Sequence, residues 1–273
     1  MSHESPLSNR VALLTGLSRR VGIGAALARR LLADGASVFA TGWSPHDDEM
    51  PWGADTDRGA GLLEELDPGD GRFHYREADL EDPSVPDQLI RETVERFGGI
   101  DILVANHARS STQSLAEVTP LELDRCWAAN GRACVLLAQS FGVHHDPGRP
   151  GRMLLFCSAQ HIGPMAGEIA YAVTKGAIHQ MTESLSDALL DRGITVNCIN
   201  PGPTDTGYAP PKLHRNIAAM MPAGRWGLPE DVANLAAWLV SDQAAWVTGQ
   251  VINSEGGFRR WKRLPADRGP VDG

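Results

Sequence analysis

Lysine is nearly missing from this chain. Only Lys175, Lys212 and Lys262 occur, and tyrosine is equally scarce, at Tyr75, Tyr171 and Tyr208. Arginine carries almost all of the positive charge, and the acids still outnumber it. The 25 Lys+Arg against 34 Asp+Glu leave a net charge of −9, opposite in sign to a whole-surface nucleic-acid binder. Cysteine is sparse as well. Cys126, Cys134, Cys157 and Cys198 form no C-x-x-C pair, and each sits in an apolar stretch. That pattern argues for buried reduced thiols rather than a zinc site or a disulfide framework. No run approaches the roughly 20 apolar residues that span a bilayer, and residues 1–10 lack the apolar centre of a signal peptide. The expectation is a cytoplasmic protein with neither a membrane nor a nucleic acid as partner.

What is present is a β/α alternation. Val11–Leu14 is a short apolar run ended by Thr15 and Gly16, as for a strand buried on both faces. Ile23, Leu27 and Leu31 repeat at helical spacing until Asp34-Gly35. Further strands are predicted at 37–41, 73–78, 100–105, 153–157, 194–199 and 251–253. Helices are predicted at 85–97, 167–190 and 229–240. Such alternation predicts an α/β fold, a Rossmann-type doubly wound parallel sheet of about seven strands with helices on both faces. One domain over residues 1–257 and a tail over 258–273 are expected. Two stretches break the rhythm, the acidic, Pro- and Gly-rich 43–61 insert and the 204–227 connection. Long connections of this kind are usually lids or binding loops.

The first strand runs into Thr15-Gly16-Leu17-Ser18-Arg19-Arg20-Val21-Gly22-Ile23-Gly24 and then a helix. Glycines let the backbone approach a pyrophosphate, and the helix N-terminus offers it free N–H groups and a positive dipole end. This turn resembles the T-G-x-x-x-G-x-G motif of the short-chain dehydrogenase/reductase family, and the resemblance extends over residues 9–257. Thr15, Gly16, Gly22 and Gly24 match it, with a loop two residues longer.

The resemblance implies a nicotinamide dinucleotide held by Gly16, Ser18, Gly22, Ile23 and Gly24. Asp79-Leu80 resembles the family's adenine-contacting pair. Trp43 ends the second strand, where no carboxylate stands before Asp47. With Arg19 and Arg20 in the loop to pair with a 2′-phosphate, the reading favours NADP(H) over NAD(H). After the fourth strand, Asn106 matches the family's N-N-A-G, whereas His107 replaces a small residue beside the cofactor. Pro201-Gly202 resembles the turn against the nicotinamide, followed by Thr204 and Thr206 as carboxamide contacts.

Tyr171 and Lys175 stand four residues apart on one predicted helix, and so on one face. With three residues of each type, such a pair arises by chance only about 0.03 times per chain. Ser158 lies thirteen positions earlier, and Asn130 precedes an apolar stretch. Together they resemble the family's Asn-Ser-Tyr-Lys tetrad. The resemblance implies Tyr171 as proton donor or acceptor, Lys175 as the neighbouring ammonium and ribose contact, and Ser158 on the carbonyl oxygen. Asn130 would hold a water that links Lys175 to solvent. No metal is required. Position alone makes Gln160, His161, Glu168 and Tyr208 candidate substrate contacts.

The predicted activity is hydride transfer between NADP(H) and a ketone or secondary alcohol of small-molecule size, in a homotetramer. A 3-oxoacyl-carrier-protein reductase, with Arg149 and Arg192 facing the carrier, is the alternative. A catalytically idle NADP-binding regulator is the alternative from another class.

Overall fold

The computed structural model describes residues 5–261. Seven parallel strands lie in the order β3-β2-β1-β4-β5-β6-β7. They are β1 (Val11–Thr15), β2 (Ser37–Thr41), β3 (Phe73–Tyr75), β4 (Ile102–Ala105), β5 (Gly151–Phe156), β6 (Ile194–Asn200) and β7 (Val251–Asn253). The middle strands are buried on both faces because helices cover both. On one side α1 (Ile23–Ala33) packs against α9 (Pro229–Val240), and on the other α4 (Val85–Phe97), α6 (Ala133–His144) and α7 (Ile169–Leu190) line up. Two apolar clusters result, one on each face of the sheet. All four cysteines are buried free thiols.

Strand order reverses between β2-β1 and β4-β5, so the chain leaves β1 and β4 in opposite directions and opens a crevice beyond their C-terminal ends. That crevice is the place for a ligand.

The irregular segments hold more structure than their composition suggests. The 43–61 insert contains α2 (Ser44–Glu49), opened by Pro45 in its first turn, and α3 (Ala60–Leu66) follows it. The 204–227 connection carries α8 (Pro211–Met220). The third strand is shorter than the apolar run suggested, although Arg76 and Ala78 still donate backbone hydrogen bonds to Ala40 and Gly42. Between β4 and α6, α5 (Pro120–Cys126) is capped by Thr119, whose Oγ1 accepts from the Glu122 N–H at 3.2 Å. It runs into a π-helical segment, Trp127–Arg132. The expected tail falls mostly outside the described residues.

No described helix is long and apolar enough to cross a membrane.

Candidate active site

Beyond the strand ends lies a cavity of about 400 Å³, with a smaller recess of about 90 Å³ beside it. Tyr171, Lys175 and Ser158 all face the larger space. Lys175 is buried, and its Nζ donates to the Phe156 carbonyl at 2.8 Å while lying 5.6 Å from the centre of the Tyr171 ring. Burial lowers the Lys175 pKa and raises that of Tyr171, the latter opposed by hydrogen bonding from Ser158. The phenol is therefore held protonated, as a proton donor requires.

Ser158 is braced from behind. Its N–H donates to Gln160 Oε1 at 3.1 Å, and Gln160 Nε2 donates to the Lys175 carbonyl at 3.2 Å. His161 lies 3.2 Å from the Ser158 carbonyl and 3.1 Å from Asn253 Oδ1. Both side chains thus turn from the cavity toward α7 and β7, which corrects their expected place against substrate. Glu168 and Tyr208 do line the cavity.

Asn130 is buried in the π-helical segment, and its amide is committed. Oδ1 accepts from the Arg109 N–H at 2.6 Å, and Nδ2 donates to the Arg109 carbonyl and to Thr174 Oγ1, both at 3.0 Å. Its side chain therefore ties the loop after β4 to α7, next to Lys175. Both amide hydrogens are used, so the expected water-holding role does not fall to this amide.

The glycine turn has the shape a dinucleotide needs. A side chain at Gly24 would place Cβ 2.1 Å from the Gly16 carbonyl oxygen, and one at Gly16, whose φ is +82°, would strike His107 and Asn106 at 2.8 Å. Only glycine permits α1 to start this close to β1. No side chain caps α1 and no acid sits in its first turn, so its first two N–H groups, those of Ile23 and Gly24, remain available to an anion. Gly22, Ile23, Gly24, Asn106, Pro201, Gly202, Thr204 and Thr206 border the same space. In the recess, Ser18, Trp43, Asp79 and Leu80 surround Thr41, whose buried Oγ1 has no partner among the described residues. A ribose or base polar atom would satisfy it. These residues fit a nicotinamide dinucleotide.

The two loop arginines part company. Arg20 turns out to Glu65 on α3, with its N–H on Asp55 at 2.7 Å; this corrects the expectation that it meets the cofactor, because α3 offers it a surface partner. Arg19 turns in. Its guanidinium pairs with Asp47 at 3.4 Å, reaches Thr206 Oγ1 at 3.5 Å and lies 5.5 Å from the centre of the Trp52 ring. Asp47 arrives on α2, as does His46, whose Nε2 accepts from the Ser110 N–H at 3.0 Å. Arg109, buried and paired with Glu49, Glu81 and Glu122, braces that contact. Trp52, Asp47 and His46 are cavity residues that the sequence reading missed, because the insert's composition resembled a loop.

His107 is buried, with Nδ1 2.6 Å from Thr15 Oγ1 and Nε2 2.9 Å from the Ala129 carbonyl. It joins β1, β4 and the π-helical segment while bordering the cavity. Burial first, then the Lys175 charge, press its pKa down to about 3. Between the ordinary imidazole value and that figure the unfolded chain binds a proton that the folded one does not, so stability falls as pH drops. The slope from this one residue is about 1.4 kcal/mol per pH unit once below the ordinary value. Thermal unfolding from pH 7 to pH 5 should show a steeper loss for the native sequence than for His107→Gln. Parallel curves would mean that His107 is not the group responsible.

A crevice at the strand switch point, an uncapped glycine-flanked helix start and a Ser-Tyr-Lys cluster on its rim define a dinucleotide-dependent oxidoreductase site. The family model described as Enoyl-(Acyl carrier protein) reductase matches residues 16–259. The uncharacterized oxidoreductase YjdA of Bacillus subtilis is 36% identical over 262 residues, covering 95% of this chain and all of that one. The 3beta-hydroxysteroid dehydrogenase 1 of Eggerthella lenta is 30% identical, covering 92% and 94%. A blue fluorescent protein from a metagenomic library, solved in complex with NADPH, superposes with a TM-score of 0.81 at 32% identity, covering 93% and 99%. The chain belongs to the short-chain dehydrogenase/reductase family, and it is an enzyme of that type with a nicotinamide cofactor.

Proposed function

We propose that this enzyme is an NADP(H)-dependent carbonyl reductase and secondary-alcohol dehydrogenase acting on a small ring ketone. The observation that carries this reading is the convergence of Ser158, Tyr171 and Lys175 with the open N-terminus of α1 on one cavity. When bound, the cofactor supplies a hydride to the carbonyl carbon. Ser158 donates a hydrogen bond to the carbonyl oxygen and steadies the charge that grows there. Tyr171, kept protonated by burial, gives its proton to that oxygen, so the C=O bond becomes CH–OH. Lys175 favours the phenolate left behind, and in the alcohol-to-ketone direction the same phenolate takes the proton back.

Arg19 supports the choice of NADP(H): it is the loop cation turned into the cavity, and it can meet a 2′-phosphate. The aromatic pair of Trp52 and Tyr208, both on the cavity, supports a ring substrate. The relative named for a hydroxysteroid agrees with a ring alcohol or ketone.

The placement of its two arginines does not favour the carrier-protein alternative. Arg149 and Arg192 precede β5 and β6, at the end of the sheet opposite the cavity. Arg149 binds Asp101 at 2.6 Å and 2.8 Å, and Arg192 donates to the His145 carbonyl at 3.2 Å. The test is NADPH oxidation over a panel of ring ketones and acyl thioesters. Turnover should appear with ring ketones; tight NADPH binding without turnover of any carbonyl would favour the idle regulator.

We also propose a homotetramer paired along α7 and 246–252. Exposed Val173 and Leu190 on α7, and Trp246, exposed at 99%, support it. Sedimentation velocity should give about four times the 29.4 kDa chain mass; a monomer would refute it.

A further inference from the structure

Two carboxylates line the cavity, Asp47 and Glu168. Asp47 is paired with Arg19. Glu168 is paired with nothing among the described residues. It stands at the N-cap of α7 yet accepts no capping hydrogen bond from the helix, although capping is what an acid at that position commonly does. It is half-buried, and burial alone raises its pKa. It precedes Tyr171 by three residues, one helical turn, and its charge acts on the phenols of both Tyr171 and Tyr208. Tyr208 is set edge-on between Trp52, at 6.0 Å, and Trp226, at 5.8 Å. The cavity thus combines an aromatic edge, Trp52 and Tyr208, with one unsatisfied acceptor three residues before the group that delivers the proton.

The cations around the cavity do not answer this acceptor. Lys175 is buried against the Phe156 carbonyl, and Arg19 is engaged with Asp47. A half-buried carboxylate without a partner costs free energy that a ligand donor recovers on binding. A substrate carboxylate at the same place would be repelled.

We propose that Glu168 is a substrate-specificity residue: it accepts a hydrogen bond from a donor on the ring ketone, a hydroxyl or an ammonium group set apart from the reacting carbonyl. This rests on the carbonyl-reductase reading. Such a contact separates substrates by their binding rather than by the chemical step, and so acts on KM more than on kcat.

The test uses a decalone with its ring-hydroxylated and ring-aminated isomers, assayed with NADPH in native enzyme, Glu168→Gln and Glu168→Leu. The native enzyme should prefer at least one substituted isomer over the parent by about tenfold in kcat/KM, mostly through KM. Glu168→Leu should erase that preference while still reducing the parent. Glu168→Gln separates the two donors, because its amide oxygen still accepts from a hydroxyl but no longer offers charge to an ammonium. Retained preference in Gln identifies the hydroxyl, and lost preference identifies the ammonium. Thermal unfolding shows whether Leu has altered the fold, and Glu168→Ala, which also removes the acceptor, is held to the same outcomes if it has. The proposal is overturned if the native enzyme reduces the parent at least as well as every substituted isomer, or if a folded Glu168→Leu keeps the preference. Failure to reduce any ring ketone despite NADPH binding would instead remove the reductase reading itself.

Discussion

Tyr171→Phe should lower the rate of ketone reduction by about a thousandfold, within the range ascribed to a positioned general acid, and leave NADPH affinity nearly unchanged. The substitution removes one oxygen from a ring that is otherwise packed in place, so the cavity keeps its shape. What is lost is the phenol that interacts with Ser158 and lies beside Lys175. The pH dependence follows from the same burial. With its pKa raised, Tyr171 stays protonated through neutral pH, so reduction should hold level there and decline only on the alkaline side. Oxidation needs the phenolate and should rise over the same alkaline range. Initial rates in both directions, with NADPH titrated by its fluorescence, test this. A Phe variant that turns over at the native rate would remove Tyr171 from the chemistry.

The second large effect concerns the cofactor. Arg19→Ala should weaken NADPH about thirtyfold and NADH little, since a charge-assisted contact to a 2′-phosphate is worth about 1.5–3 kcal/mol. Asp47 sharpens the prediction. It pairs with Arg19 and borders the recess beside the glycine turn, so it would compete with a 2′-phosphate for the guanidinium and repel it. Asp47→Asn should therefore tighten NADPH, by about fivefold if the pair is partly solvent-screened. Removing Arg19 alone leaves Asp47 buried without its counter-ion, so Arg19→Ala combined with Asp47→Asn should recover part of the loss. Binding titrations of both nucleotides to the four proteins decide the matter. Tighter binding of NADH than NADPH, with Arg19→Ala indifferent to the phosphate, would make Asp47 a ribose-hydroxyl acceptor and reverse the cofactor assignment.

Much of this site was legible in the residues because its signals are local. The β1–turn–α1 unit announces itself by an apolar run, glycines and helical spacing within 24 residues. Tyr171 and Lys175 need only the i, i+4 geometry of one helix. What escaped depends on contacts between distant segments. Asp47 and Trp52 reach the cavity only because α2 folds back over the recess, held by His46 on Ser110 and by Arg109 among three glutamates. Gln160 and His161 sit beside Ser158 in the chain, but the turn after β5 aims them at α7 and Asn253 instead. Adjacency could not reveal that direction. Arg20 differs from Arg19 by one position and by a glutamate 45 residues away. The π-helical segment at Trp127–Arg132 follows no composition rule, yet it buries Asn130 where its amide can tie the β4 loop to α7.

The central claim is that a hydride passes to a carbonyl carbon in the cavity bordered by Ser158, Tyr171 and Lys175. Incubation with NADPH deuterated at the transferable position of the nicotinamide, followed by mass spectrometry of the product, tests it most directly. The account predicts a ring alcohol carrying one deuterium on its carbinol carbon, formed by the native enzyme and about a thousandfold more slowly by Tyr171→Phe. NADPH that binds yet delivers no deuterium to any ketone, or delivers it equally well without the phenol, would contradict it.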